Sequence, residues 1–585
     1  MKFNGDLNEL MQKLGSLAVV GEWRVVNRNQ HQFRAKSKAI MNWFPSTGTV
    51  SFQGPAQAAN LMRELVSQIL FGGGPAHSPT ETETCAEATA DLARTMPGER
   101  GYFLDGTYAD SEIVIGLVGA VGTDLDEVVR VVGDRLRAFR YACESIRIST
   151  DIISPLAPVE QTSSEYDRIS GFMAAGNALR KRTEDKAVLA LGVALKVNQF
   201  RSGQEPGRRA FVVKSLKHPE EVQRLRSIYS DGFFLLGVHA DHARRSNFLI
   251  RERGMTDEQA SRLIEKDADE SDPFGQHTRD TYHLSDFFIN HNGHSDSLKN
   301  QIWRVLDLLF GKPYVTPTFD EYAMFMAFSA ALRSADLSRQ VGAVLTQHGS
   351  IVATGANDVP KAHGGLYWPE VDPATHCAND AKDGRDYMRG EDSNVVQKKA
   401  IIDSILAAIP EHLHSQVAPI IRSSRIRDIT EYGRVVHAEM EALLAGARAG
   451  VGTVGGELYC TTFPCHNCAK HIIAAGVKRV VYVEPYPKSK ALEFHSDSIS
   501  LERGGTNVVF EPFIGVGPRS FFNLFSTSLG SGYPIKRKTS DGQIVDWCES
   551  DAKLRTQLLP CSYMEREDLA AALLATYLEE KADEQ

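Results

Sequence analysis

VHAEMEALLAGARAG (436–450), GELYCTTFPCHNCAKHIIAAG (456–476) and VKRVVYV (477–483) together decide how the chain reads. They hold His437-Ala438-Glu439 and Pro464-Cys465-His466-Asn467-Cys468. One imidazole and two thiols are three zinc ligands, and a zinc site with three protein ligands keeps its fourth position for water. A 3.6-residue apolar period starts at His437 and runs to about Ala449, so His437 and Glu439 fall in the first turn of a helix. ELYCTT (457–462) reads as a strand, and Cys465 and Cys468 open a second helix that runs through Ala474. Their spacing of three puts both thiols on one helix face, and a helix N-terminus favours thiolate. Glu439, two residues from His437, can stand near the metal without ligating it and is the expected proton carrier. The competing readings are a closed structural knuckle, with His466 or Cys460 as fourth ligand, and a redox pair. Cys460 lies within the strand and reads as a small buried apolar residue.

Outward from this stretch, residues 317–585 form one expected domain. FDEYAMFMAFSAALRSAD (319–336) has the spacing of an amphipathic helix, and VGAVLTQHGSIVATGAND (341–358) reads as a hairpin turning at Gln-His-Gly-Ser. Residues 359–431 interrupt the pattern, first loop-like and polar, then helical, and a loop of that length is functional or disordered. The tail GPRSFFNLF (517–525) is expected to pack back on this domain.

Residues 106–316 read as an α/β unit. The apolar run SEIVIGLV (111–118) leads into Gly119-Ala-Val-Gly122-Thr123-Asp-Leu-Asp126 and then the helix LDEVVRVVGDRLRAF. Strand, Gly-rich turn and helix is the layout of a phosphate-binding loop. Gly119 fits the first glycine of such a loop, but Asp124, Leu125 and Asp126 replace its second Gly, its Lys and its Ser/Thr. Residues 1–105 read as a small α+β module and linker: a strand within WRVVNRNQHQFRAK, two strands around Pro45-Ser-Thr-Gly48, then a helix over 56–70. Arg24, Arg28, Arg34, Lys36 and Lys38 beside Trp23, Phe33, Trp43 and Phe44 make either an RNA-binding sheet or a solvated face over core aromatics, the plainer alternative.

The chain has 585 residues, 42% hydrophobic and 24% charged, with a net charge of −9 and a pI near 6.1. That length implies two to four domains, and the acidic balance argues against a protein that coats nucleic acid. No apolar run spans a membrane and the first residues are not signal-like, so a cytoplasmic protein is expected. Eight cysteines do not suggest a disulfide scaffold.

H-x-E followed by P-C-x-x-C is the signature of zinc-dependent nucleobase deaminases. Residues 318–520 resemble the deoxycytidylate deaminase branch of the cytidine deaminase fold, on VGAVL, ATGAND, VVHAEMEAL and LYCTTFPCHNCAKHIIAAGVKRVVYVEPY. The resemblance implies a three-layer α/β/α domain, zinc on His437, Cys465 and Cys468, Glu439 as catalytic residue, Asn357 at the sugar and Tyr486 by the base or sugar. Residues 208–309 resemble nucleoside monophosphate kinase-like proteins, with Gly119, Gly122 and Thr123 in a degenerate phosphate loop. The combined order resembles the bacterial anti-phage dCTP deaminases. It implies conversion of dCTP and/or dCMP to dUTP or dUMP, depletion of the dCTP pool in antiviral defence, control by a regulatory nucleotide or small RNA, and a homo-oligomer. The alternatives are deamination of a base within RNA or single-stranded DNA, and a housekeeping dCMP deaminase. Three further sets of residues are of interest. His363, His376 and Cys377 could form a second metal site, or a nucleotide pocket with Arg385 and Arg389. Arg333 and Arg339 could meet substrate phosphates, and Arg244, Arg245, Arg251 and Arg253 could do so in the kinase-like half. Ordinary surface residues are the plainer reading of all three.

Overall fold

The computed structural model describes residues 3, 10–11, 21–27, 30–35, 39–45, 47, 49–53, 62–63, 66, 110–160, 162, 164–202, 207–268, 272–485, 489–556 and 558. It divides into two compact units, 1–98 and 99–585, so the expected boundary at 316/317 falls inside the second.

The first unit holds an antiparallel sheet in the order β1 (Gly21–Asn27), β2 (Gln30–Ala35), β3 (Ile40–Phe44), β4 (Thr49–Gln53). The single strand expected over 23–36 is instead two strands, β1 and β2, paired antiparallel. Trp43 is buried with Met41 and Val50, and Trp23, Phe33 and Phe52 pack against that core. These rings therefore serve burial and not an exposed stacking platform. Of the helix expected over 56–70, residues 62, 63 and 66 are helical and the rest lies outside the described residues.

The second unit begins with a parallel sheet. β5 (Ile113–Gly119) is central, and β6 (Ala142–Arg147), β7 (Arg209–Lys214), β8 (Phe233–His239) and β9 (Phe287–Asn290) complete the order β6-β7-β5-β8-β9. β5 is buried along its whole length, as a strand covered on both faces must be. Helix α1 (Leu125–Ala138) follows it, capped by Asp124, which accepts hydrogen bonds from the amides of Asp126 and Glu127.

A second, mixed sheet follows. β10 (Gly342–Gln347) and β11 (Ser350–Ala356) form a hairpin, and β12 (Glu370–Val371) and β13 (Ala378–Asn379) form a separate two-residue ladder. β14 (Glu457–Thr462), β15 (Arg479–Glu484), β16 (Ile499–Ser500) and β17 (Val508–Pro512) complete the main sheet, in the order β11-β10-β14-β15-β17-β16. Side chains alternate between its faces. Val344, Tyr459 and Val481 meet helix α2 (Phe319–Ala331), whereas Leu345, Leu458, Cys460 and Val480 meet the layer of α5 (Ala438–Arg448) and α6 (His466–Ala474). Helices thus cover both faces, which makes three layers. Between them residues 359–431 carry α3 (Ser393–Ala407) and α4 (His414–Ser423), neither of which contains a buried residue.

The tail does more than close its own domain. β18 (Gly515–Val516) pairs antiparallel with β9, adding a sixth strand to the parallel sheet. Val516, Leu524 and Leu554 enter the same core as Ile115, Leu117 and Phe287. In helix α7 (Pro518–Phe525), Phe521 stacks on Phe325 of α2 at 4.3 Å. Leu554 is 2% exposed, so Leu554→Ala leaves a cavity in the core of the parallel sheet. Urea unfolding is expected to show a loss of about 2–4 kcal/mol.

Candidate active site

The metal-ligand atoms stand at two helix N-termini. His437 is the N-cap residue of α5 and Cys465 the N-cap of α6, where its sulfur accepts from the Cys468 amide at 3.4 Å. His437 Nδ1 lies 3.4 Å from Cys465 Sγ and 3.4 Å from Cys468 Sγ. Zinc bonds of about 2.3 Å to sulfur and about 2.05 Å to nitrogen at tetrahedral angles separate S and N by about 3.6 Å, so the cluster fits a zinc ion. Hydrogen bonds from the Cys468 thiol, from His437 and from the Cys468 amide, against the effect of burial, push the Cys465 thiol down to about 4. The hydrogen bond to Cys465, together with the nearby Glu439 charge, lifts His437 to about 9. Cys468 is pushed up by its hydrogen bond to Cys465 and by burial. The two thiols therefore differ in proton affinity, and zinc binding releases the protons they share with His437. Glu439 is 4% exposed, and burial raises its pKa. A carboxyl held up in this way beside a metal cluster is suited to taking and returning a proton.

One cavity of about 440 Å³ contains His437, Glu439, Cys465 and Asn357. Asn357 is at its wall, but its amide is engaged: Oδ1 accepts from Val341 N at 2.7 Å and Nδ2 donates to Arg339 O at 2.8 Å. It holds the turn leading into β10 and presents only its remaining hydrogen-bonding capacity to the pocket. Tyr486 lies outside the described residues. Cys460 is fully buried in the core, as its place in a strand suggests.

Sequence reasoning did not anticipate the contribution of residues 359–431. Asp386, Asp392, Asn394, Arg425 and Thr430 line the same cavity. Two ion pairs hold this segment in place. Arg385, 5% exposed, meets Asp358 at 3.2 Å, and Arg434 meets Asp386 at 2.7 Å. Asp358 in turn accepts from the Val436 amide, one residue before His437. The neighbouring arginines Arg385 and Arg434, each with an aspartate nearby in space, were the available signal, but their pairing spans 27 and 48 positions and has no periodicity.

The other candidates separate. His363, His376 and Cys377 do not form a metal cluster among the described residues. Arg389 donates to Asp383 O. Arg333 lies over the Trp368 ring at 3.6 Å and donates to Tyr367 O, which fastens the insertion and turns the guanidinium from the cavity. Arg339 lines the cavity but is tied to Glu484 at 2.5 Å.

In the parallel-sheet half, the 119–126 loop lines a separate cavity at the carboxyl ends of β5, β6 and β7, where ligands of open α/β sheets bind. Gly122 has φ +87° there, and a Cβ would come within 2.7 Å of Arg245 O. Thr123 Oγ1 is buried without a partner. Asp126 pairs with Lys214 and, at 2.8 Å, with Arg147, so one carboxylate of this protein is shared by these two cations. Arg253 lines this cavity, whereas Arg244 contacts His291 at 3.2 Å and Arg245 donates to Ala240 O. Arg251, at the end of its helix, is exposed.

Three protein ligands with a buried carboxylate beside them define the class of zinc centres that leave a position for water. The sequence pattern of the cytidine and deoxycytidylate deaminase zinc-binding region matches residues 317–484. The deoxycytidylate deaminase of Enterobacteria phage T2 is 30% identical over 173 residues, 28% of this chain and 79% of that protein. The chain belongs to the cytidine and deoxycytidylate deaminase family. The Saccharomyces cerevisiae deoxycytidylate deaminase is 28% identical over 221 residues, 37% of this chain and 55% of that enzyme, so the chain spans about half of its length. The dCMP deaminase of cyanophage S-TIM5 is 21% identical, with a TM-score of 0.20 over 34% of this chain and 99% of that one.

Two measurements test the site. Cys465→Ser, which removes a thiolate ligand, is expected to lose most bound zinc by elemental analysis while the secondary structure persists. Gly355 lets β11 approach α5, since a Cβ there would lie 2.1 Å from Ala438 O. Gly355→Ala is expected to cost about 3 kcal/mol in thermal or urea unfolding and to lower zinc content with it.

Proposed function

We propose that this protein is a cytoplasmic, zinc-dependent hydrolytic deaminase of deoxycytidine nucleotides, converting dCMP and/or dCTP to dUMP or dUTP and ammonia. The observation that carries the reading is the buried Glu439 carboxyl in one cavity with His437 and Cys465, two members of the His437–Cys465–Cys468 cluster. His437, Cys465 and Cys468 would hold the zinc ion, and the chemistry it would supply is activation of water near neutral pH. Glu439 takes the two water protons in turn, passing the first to the ring nitrogen and the second to the leaving amine, as the water oxygen joins C4 and the C4–N4 bond breaks. Asn357 fixes the turn at 339–341 that forms the sugar side of the pocket. The names of the T2 and yeast relatives support a deoxycytidine nucleotide as substrate. A pocket walled by Asp386, Asp392, Asn394, Arg425 and Thr430 suits a free nucleotide better than a base within a polymer.

The central position of β5, the loop at its end and the helix after it support a P-loop kinase-like ancestry for the parallel-sheet half. With Leu125 where a phosphate loop carries its Lys, and Asp126 shared by Lys214 and Arg147, we read that half as regulatory and not as a kinase. Depletion of dCTP in anti-phage defence, control by a nucleotide or small RNA, and assembly into a homo-oligomer follow from the order of the two halves and rest on that resemblance.

Glu439→Gln is expected to keep zinc and to lower deamination at least about a hundredfold. The assay is chromatography of dCTP, dCDP, dCMP, cytidine and a cytosine-containing oligonucleotide with purified protein. Turnover of the oligonucleotide faster than every nucleotide would overturn the free-nucleotide reading.

A further inference from the structure

We propose that Arg425, carried by the 359–431 insertion, binds the phosphate of the substrate nucleotide, with Lys490 beside it on the same rim of the pocket. This rests on the deaminase reading above and names the part of the molecule that selects nucleotide over nucleoside.

A cytosine placed for attack at C4 turns its C4 edge toward Glu439 and the His437–Cys465–Cys468 cluster. Its 5′-phosphate then lies at the opposite end of the nucleoside, toward the mouth. Among the described residues, three cationic side chains line the cavity: Arg339, Arg425 and Lys490. Arg339 is committed, held by Glu484 at 2.5 Å and in contact with Thr462 at 3.3 Å. Lys490 has a side chain 43% exposed and holds the more exposed Glu493 at 2.5 Å, a surface pair that a dianion can displace at little cost. Arg425 is exposed and, among the described residues, has neither a hydrogen bond nor an ion pair. Its charge and that of Lys490 both act on Glu493, which places the two cations on one side of the opening.

The acidic groups of the cavity do not compete for these cations. Asp386 is paired with Arg434 at 2.7 Å, Asp392 caps α3 by accepting from Val395 N at 3.0 Å, and Asp336 accepts from the amides of Ser338 and Arg339 at 2.9 Å each. An exposed guanidinium lining the pocket matches a phosphate, which it can hold with two parallel hydrogen bonds. The Arg385–Asp358 and Arg434–Asp386 pairs keep the insertion's 384–386 corner, part of the same wall, fixed to the segments that carry Asn357 and His437.

The test compares kcat and KM for dCMP, dCTP and deoxycytidine in the zinc-loaded full chain and in Arg425→Gln and Arg425→Lys. For Arg425→Gln, the ratio of kcat/KM for dCMP to that for deoxycytidine is expected to fall about tenfold or more, mainly through KM. Arg425→Lys is expected to recover part of the loss because it keeps the charge. Calorimetric binding of dCMP and of deoxycytidine to the same proteins reads the phosphate contact without turnover. A wild-type protein that binds dCMP but deaminates none of the three compounds would overturn the deaminase reading and leave the Arg425 comparison measurable. An Arg425→Gln protein with the wild-type preference for dCMP over deoxycytidine, in turnover and in binding, would overturn the proposal.

Discussion

The closeness of α5 to the β10–β11 hairpin is the constraint on which the rest depends. At Gly355 the strand backbone meets the first turn of the helix so closely that a side chain would overlap Ala438 O and Ala442 N. That contact sets the height of His437 and Glu439 above the sheet. The Cys465 and Cys468 sulfurs arrive independently, from the loop after β14 and the start of α6. A metal centre of three ligands tolerates little error, because S···N separations near 3.4 Å leave room for one ion and no more. Small residues at the contact, Gly355, Ala438 and Ala442, turn ordinary helix–strand packing into a defined distance between ligands.

The two sheets of the second unit are not separate bodies joined by a linker. Phe288 of β9 packs in the core of the mixed sheet and makes an edge contact with Phe513 at 5.6 Å. β18 pairs back onto β9, and Glu321 of α2 accepts from the Val516 amide at 2.8 Å while Arg304 holds its carboxylate. A ligand that shifted the parallel sheet would move groups one layer from α2 and the mixed sheet. That continuity gives a physical route for one half to govern the other, and a two-state element biased by both sites is what such control would require.

The insertion is fastened by buried charge. Arg385 and Asp358 are 5% and 1% exposed, and breaking such a pair from one side leaves a buried charge at a cost of about 3–5 kcal/mol. Asp358 is also backbone-bonded to Val436, so the insertion is anchored at the residue before the metal-binding histidine. Helices α3 and α4, by contrast, bury nothing. The segment is therefore firm at its root, where it walls the pocket, and loosely packed farther out.

The sequence by itself located the helix starts at His437 and Cys465, the strand between them, and three residues of zinc-ligand type. A 3.6-residue period after His437, strand alternation at 457–462 and a spacing of three between the cysteines are local patterns, and side-chain direction follows from them without knowledge of the fold. Local patterns also explain the error at 23–36, where the alternation of apolar and polar residues runs on through both β1 and β2. Tertiary structure alone decided which distant segments share a site. Asn357 was legible as a pocket residue, but the engagement of its amide by residues 339 and 341 was not. The pairing of Asp358 with Arg385, the wall formed by Asp386, Asn394 and Arg425, and the return of the tail onto β9 join positions from tens to hundreds of residues apart. Such contacts are set by packing and by the need to neutralise buried charge, and neither leaves a period in the sequence.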